Sequence, residues 1–280
     1  MEIKLNHMQD FHWSKRPSSA SHFDFGVWAN FVPHEGGYVG ACRNGSMGLN
    51  DKIQILKFDS DINIVSSYDI TKGEDPRSFI YNGEPHILTW DPSPNPAGGG
   101  NVFYYKVINA ISGKVTTLSI ENVPVTKVTI LGKNWIPMVK DNILYFVVTV
   151  DPQLCVLRCD LDDGLCTWET PYELIRGGLQ ITISRGGTSL IPGRHGDSYI
   201  GLGHRTYDCH NHSAFLYMVS KDFSKTFIGP DIPTAKKGIS DPLSIYEKDD
   251  KIYCCIAHAP RQLGDTLEAV SSLYEIEICV

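Results

Sequence analysis

Apolar and polar positions alternate over short stretches of this chain, and the 3.6-residue period of an amphipathic helix is nearly absent. Runs rich in Val, Ile, Tyr, Phe and Thr are bounded by Gly, Pro, Asn and Asp, the residues that build turns. The pattern predicts an all-β protein of many short strands. The one weak helical candidate is "TPYELI", residues 170–175.

A longer period lies over the alternation. A strand, a polar turn and a second strand carrying a ring recur in "ANFVPHEGGYVGACR", "DPRSFIYNGEPHILTW", "NWIPMVKDNILYFVVT", "GTSLIPGRHGDSYIGLGHR" and "DPLSIYEKDDKIYCCIAH". The first ring of each second strand is Tyr38, His86, Tyr145, Tyr199 or Tyr253, giving intervals of 48, 59, 54 and 54 residues. Two more strand-like runs follow each copy. A four-stranded unit repeated five times predicts a five-bladed β-propeller with antiparallel blades around a central channel, one domain over residues 1–280. A β-sandwich would leave the repeat as coincidence. Ring closure would pair "EIKLNH" at the start with "SLYEIEI" near the end.

Composition narrows the function classes. The 280 residues are 42% hydrophobic and 20% charged, with a net charge of −7, which disfavours a general nucleic-acid-binding surface. No run approaches the roughly 20 apolar residues of a membrane span. "MEIKLNHMQDFHW" lacks the pattern of a secretory signal, so a cytoplasmic location is expected. The eight Cys are expected to be reduced and mostly buried; adjacent Cys254 and Cys255 would point to opposite faces of a strand, while Cys159 and Cys166 flank a turn. No zinc-type spacing occurs. The acid clusters "DSD" (59–61) and "DLDDG" (160–164) read as solvated turns, and "NPAGGGN" (95–101) as a loop with no helix behind it to bind phosphate. No Trp-Asp dipeptide recurs from unit to unit, which disfavours a WD40-type platform.

In a propeller the start of each inner strand and the end of the next strand crowd one channel mouth. That rule collects Arg43 and Asn44; Glu74, Asp75, Arg77 and Trp90; Lys133, Asn134, Trp135 and Asp151; Arg185, Thr188, His204 and Arg205; and Asp241, His258 and Arg261. Acids, cations and flat rings in one pocket suit a sugar, and the excess of cations suits one carrying phosphate.

"EDPR" at residues 74–77 resembles the motif of the mannoside phosphorylase family and its mannosyltransferase relatives, five-bladed propellers in which this Asp transfers the proton. "SYIGLGHR" (198–205) resembles their fourth-blade strand, which ends in a phosphate-contacting His. "KNWIPM" (133–138) and "RGGTSLIP" (185–192) resemble stretches of virus-encoded and eukaryotic microbial sugar transferases. Chain length and wording resemble the chlorovirus glycosyltransferases that build capsid glycans, a xylosyltransferase among them. The arabinofuranosidase and β-xylosidase propellers instead use three channel carboxylates, with a Glu acid at a late blade start. Here that position reads "SRGGTS" and holds no acid.

The resemblance and the charges together imply a glycosyltransferase. It would move a sugar from a UDP- or GDP-sugar, UDP-xylose by the family likeness, to an acceptor oligosaccharide or glycoprotein. Asp75 would be the general base. Arg43, Lys133, Arg185, His204 and Arg205 would neutralise the departing diphosphate, making a divalent metal dispensable and requiring no cofactor. Trp90 and Trp135 would be sugar platforms. Arg77 would orient Asp75 or touch substrate. Two alternatives stand beside this: a glycoside phosphorylase or hydrolase on the same scaffold, and a non-catalytic glycan- or protein-binding propeller.

Overall fold

A computed structural model describes residues 2–11, 29–44, 52–94, 101–124, 133–151, 153–170, 184–194, 196–208, 211–233, 238–259 and 270–279. The helical candidate at 171–175, the glycine run at 95–100, Cys209 and Arg261 lie outside the described residues. Every regular element among the described residues is a strand.

The strands form antiparallel four-stranded sheets in chain order. The first is Asn30–His34, Gly37–Asn44, Lys52–Phe58 and Ile64–Lys72; the second is Glu74–Tyr81, Glu84–Pro94, Asn101–Asn109 and Val115–Thr117. The third is Ile136–Lys140, Ile143–Thr149, Cys155–Cys159 and Leu165–Trp168, to which Ser119–Ile120 adds a fifth, parallel strand. That addition stitches the second sheet to the third. A nine-stranded sheet follows, and it divides in two. Its first half is Ser184–Gly186 with Ile191–Pro192, then Ser198–Asp208, Asn211–Ser220 and Thr226–Asp231. Its second half is Ile239–Lys248, Lys251–Ala259, Val270–Cys279 and Glu2–Phe11. The single parallel pairing His212↔Ile239 joins the halves. All five repeat anchors lie in the second strand of such a run.

The first and last strands pair as the sequence suggests, with Leu5 opposite Ile276 and Ile3 opposite Ile278. Such a pairing ties the two ends of the chain into one run of strands.

Apolar faces pack between successive sheets. Ile53, Ile55, Ile87 and Ile108 fill the space between first and second. Leu88, Tyr105, Trp135, Phe146 and Leu157 fill that between second and third. Met138, Val147, Leu190 and Tyr217 join the third to the nine-stranded sheet, and Leu202, Leu216, Ile245 and Ile256 join its halves. Phe31, Leu56, Phe58, Leu243 and Tyr246 then join its second half back to the first sheet. Burial of this kind contributes about 25 cal/mol per Å² of apolar surface removed from water. Cys254 lies in one of these clusters and Cys255 in another, on opposite faces of one strand.

The expectation of reduced thiols is corrected at one place: Cys159 and Cys166 form a disulfide. They stand directly opposite each other across the hairpin, with Cα atoms 4.0 Å apart, so strand register brings the thiols together. Cys42, Cys155, Cys254 and Cys255 are buried. Replacing both bridging cysteines by Ser is expected to cost about 2 kcal/mol or less, because the closed loop is short. Urea denaturation of oxidised and Ser-substituted protein checks this.

The acid clusters are turns, as read. Asp59 Oδ1 accepts from the backbone N–H groups of Asp61 and Asn63, and Asp160 Oδ1 from that of Asp162.

Candidate functional site

Strand Glu74–Tyr81 opens on an irregularity. Glu74 faces Trp90 and Arg77 faces Leu88, so three steps on this strand meet two on its partner. The extra residue at Asp75-Pro76 makes a β-bulge, where a proline's missing N–H is tolerated. Asp75 has φ of 46°, a conformation uncommon outside glycine. The bulge interrupts the strict alternation of side chains and re-aims the carboxylate. It is braced from the first sheet: Asn30 Nδ2 donates to Pro76 O at 2.8 Å and to Ala41 O at 3.0 Å, and Ser78 Oγ donates to Asn30 Oδ1.

Two ion pairs hold the acids of this motif. Lys133 Nζ stands 2.8 Å from Asp75 Oδ2, and Arg43 Nη2 stands 3.2 Å from Glu74 Oε1. Burial pushes the Asp75 pKa up, but the charges of Lys133, Arg77 and Arg43 outweigh it and hold the carboxyl well below the usual carboxylate range. Asp75 is thus a carboxylate at neutral pH. Lys133 Nζ also lies 5.1 Å from the centre of the Trp90 ring.

A Lys133→Met variant tests that balance. Without its nearest cation Asp75 titrates higher, so the acid limb of a pH–rate profile is expected to rise by about one unit. The stability that ionised Asp75 contributes is present above its unfolded pKa of about 3.9 and is lost as pH falls through the depressed folded value. The variant is therefore expected to lose stability at a higher pH than the parent. Identical acid limbs in variant and parent would remove Lys133 as the cause.

Arg77 occupies the middle of the site. Its Nη1 donates to Pro76 O at 2.9 Å and its Nη2 to Asn134 Oδ1 at 3.2 Å. Asn134 itself has φ of 73° and is buried. Burial lowers the Arg77 pKa, and the charges of Asp75 and Asp241 oppose that. The guanidinium therefore lies electrostatically between the two aspartates while its hydrogen bonds go to the backbone and Asn134. Its Nε is buried without a hydrogen-bond partner among the described residues.

Asp241 stands at a second Asp-Pro, again beside a register shift, between Pro242 and Ser244. His212 Nδ1 is 2.8 Å from Asp241 Oδ1. Burial raises the Asp241 pKa, but the His212 hydrogen bond and the charges of His204, His212 and Arg77 prevail and lower it. The His204 ring packs on the His212 ring, with centroids 5.4 Å apart and planes 26° apart. Burial pushes His204 down to about 4, against the pull of Asp241 and helped by Arg77, His212 and Arg185.

Asp75, Glu74, Arg43, Lys133, Arg77, Asn134, Asp241, His204 and Arg185 thus belong to one connected cluster. The structure places the other candidates as follows. His204 is a neutral imidazole at pH 7, so it adds no charge to offset a departing phosphate. Trp135 is 1% exposed and stacked on Tyr105 at 3.6 Å, a core ring with no face left for a sugar. Trp90 is buried, packs T-shaped against Phe103 and carries the Lys133 ammonium over its ring. Thr188 is fully buried and spends its hydroxyl on Ser189 O and the Leu202 N–H. Arg205 turns away from His204 by strand alternation, pairing with Asp231 and packing over Phe215. His258 is buried between Ser240 Oγ and Tyr274 OH. Asp151 is half-buried beyond Ile143–Thr149 and stands apart from these contacts.

The "RGG" stretch is a close-packing device. A Cβ on Gly186 would collide with Asn134 O, and one on Gly187 would lie 2.6 Å from Pro242 Cγ. Its glycines let three successive sheets approach one another beside the cluster. Sequence reading missed His212, which lies in the dense "HNHS" run just past a hairpin tip. It also missed the buried Lys106–Asp91 pair at 2.6 Å, which reaches Thr71 of the first sheet.

No protein-family model and no curated protein matches this sequence. Solved structures do. The exo-β-1,3-galactanase of Phanerochaete chrysosporium, solved with β-1,3-galactotriose, superposes with a TM-score of 0.62 at 11% identity, over 98% of this chain and 64% of that one. The α-L-arabinofuranosidase of Lactobacillus brevis gives 0.59 at 12% identity, over 89% and 90%. The fold is that of carbohydrate-active propellers. The xylan β-1,4-xylosidase of Bacillus halodurans gives 0.57 at 14% identity over 91% of this chain, which spans 53% of the xylosidase's length. At these identities the likeness carries the fold alone. All three of these neighbours are hydrolases of glycosides, and the glycosyltransferase expectation draws no support from them.

Proposed function

We propose that the chain is a single five-bladed propeller and that the cluster around Arg77 cleaves glycosidic bonds by hydrolysis, with Asp75 as general base. The apolar interfaces that run from the first sheet round to the second half of the nine-stranded sheet and back support the ring. The observation that carries the chemistry is the Asp75 carboxylate on its bulge, held ionised by Lys133. A half-buried, ionised carboxylate is suited to take a proton from an attacking water.

Hydrolysis of an ordinary glycoside also needs a proton donor across the bond. Glu74 is ion-paired to Arg43 and Asp241 accepts from His212, so neither is set up to give one. The expected substrates are therefore glycosides whose leaving group departs without protonation. Cations at Arg43, Arg77, Lys133 and Arg185 would stabilise an anionic leaving group. That cation density favours a second reading in which the acceptor is a sugar hydroxyl and the donor a nucleotide sugar, Asp75 keeping its role.

A panel of nitrophenyl glycosides and UDP- and GDP-sugars, each with and without oligosaccharide acceptors, separates the readings. Release of nitrophenol or free sugar in water alone supports hydrolysis. Turnover only with acceptor present moves the assignment to transfer, and turnover of neither donor class removes both.

A further inference from the structure

The pair His212–Asp241 and the ring of His204 have no task in the chemistry proposed above. His204 is 7% exposed and stacks on the His212 ring, whose Nδ1 meets Asp241 Oδ1 at 2.8 Å. One donor atom from each of His204, His212 and Asp241 lies within 4.8 Å of the other two.

Three separate strands bring them together. His204 comes from Ser198–Asp208 and His212 from Asn211–Ser220, its antiparallel neighbour. Asp241 comes from Ile239–Lys248, which meets the His212 strand at the single pairing His212↔Ile239. The donors thus sit at the joint between the halves of the nine-stranded sheet, held by backbone ladders on every side.

We propose that His204, His212 and Asp241 form a binding site for one divalent first-row transition-metal ion. Two imidazoles and a carboxylate are a common three-ligand set for zinc, leaving a position open. Ligand atoms about 2.0–2.2 Å from an ion stand roughly 3–4 Å from one another, so shifts of about an ångström seat it. The His212–Asp241 hydrogen bond opens on binding, and its proton leaves to solvent as the ion takes its place.

The donor set decides which ion binds: Arg77 and Arg185 repel every divalent cation alike, and Asp241 is the only anion among the three ligands. Calcium and magnesium depend on several charged or carbonyl oxygens, which the set lacks. Imidazole nitrogens favour zinc, cobalt, nickel or copper.

The experiment titrates the full chain, stripped with a chelator, with Co²⁺ and then Zn²⁺ at neutral pH. Visible cobalt bands saturating at one equivalent and bleached by zinc are expected. His204→Ala and His212→Ala are each expected to weaken binding at least about tenfold with unchanged far-UV circular dichroism. His204→Gln and His212→Gln serve where an Ala variant does not fold. The proposal is overturned by no saturable binding to the parent, by unchanged binding in both His variants, or by calcium binding as tightly as zinc. Because the readout is metal binding, the result stands apart from whether any glycoside is turned over.

Discussion

Asp75→Asn is expected to lower turnover about 10²–10⁴-fold, the range for loss of a general base, with substrate affinity nearly unchanged. The substitution keeps the shape of the side chain and removes the charge that Lys133 and Arg77 now balance. Asn also tolerates the positive φ of this position better than most residues, so the bulge survives. Steady-state kinetics on whichever glycoside the panel identifies, with isothermal binding of the same ligand, check both halves. Undiminished turnover would remove Asp75 as the base. Equal loss of turnover and binding would make it a substrate-holding residue instead.

Trp135→Ala is expected to destabilise the fold by about 3–5 kcal/mol, the usual cost of deleting a large buried ring. Trp135 is almost fully buried, stacked on Tyr105 and near Phe146, at the interface between second and third sheets. Its loss leaves a cavity that ladder-bound backbone cannot close. A drop in the urea midpoint at constant m-value measures this. A variant as stable as the parent but weaker in sugar binding would restore the platform role that the sequence suggested.

Those two residues show what strand pattern does and does not convey. Both stand at strand starts with the flanks expected of a channel mouth. For Asp75 the bulge carries the carboxylate into the cluster. For Trp135 the chain turns the ring into the interface with Tyr105, a residue 30 positions earlier. Neither orientation is a property of the local alternation. The same holds for Arg205 and His204, adjacent in sequence, which alternation sends to opposite sides: one to Asp231, the other to His212.

Sequence by itself determined the strand content, the spacing of the repeats, the turn nature of the acid clusters and the pairing of the two chain ends. Those features rest on local alternation, turn chemistry and periodicity, which neighbouring residues carry. Tertiary structure decided the rest. It brought Asp75 to Lys133 across 58 positions and Asp241 to His212 across 29. It joined Cys159 to Cys166 through register, and it moved Trp135, Thr188 and His258 from the candidate pocket into the core. The reason is geometric. A bulge of one residue reverses which face a side chain takes, and the partner it then meets comes from a distant strand whose position only the packed sheets define.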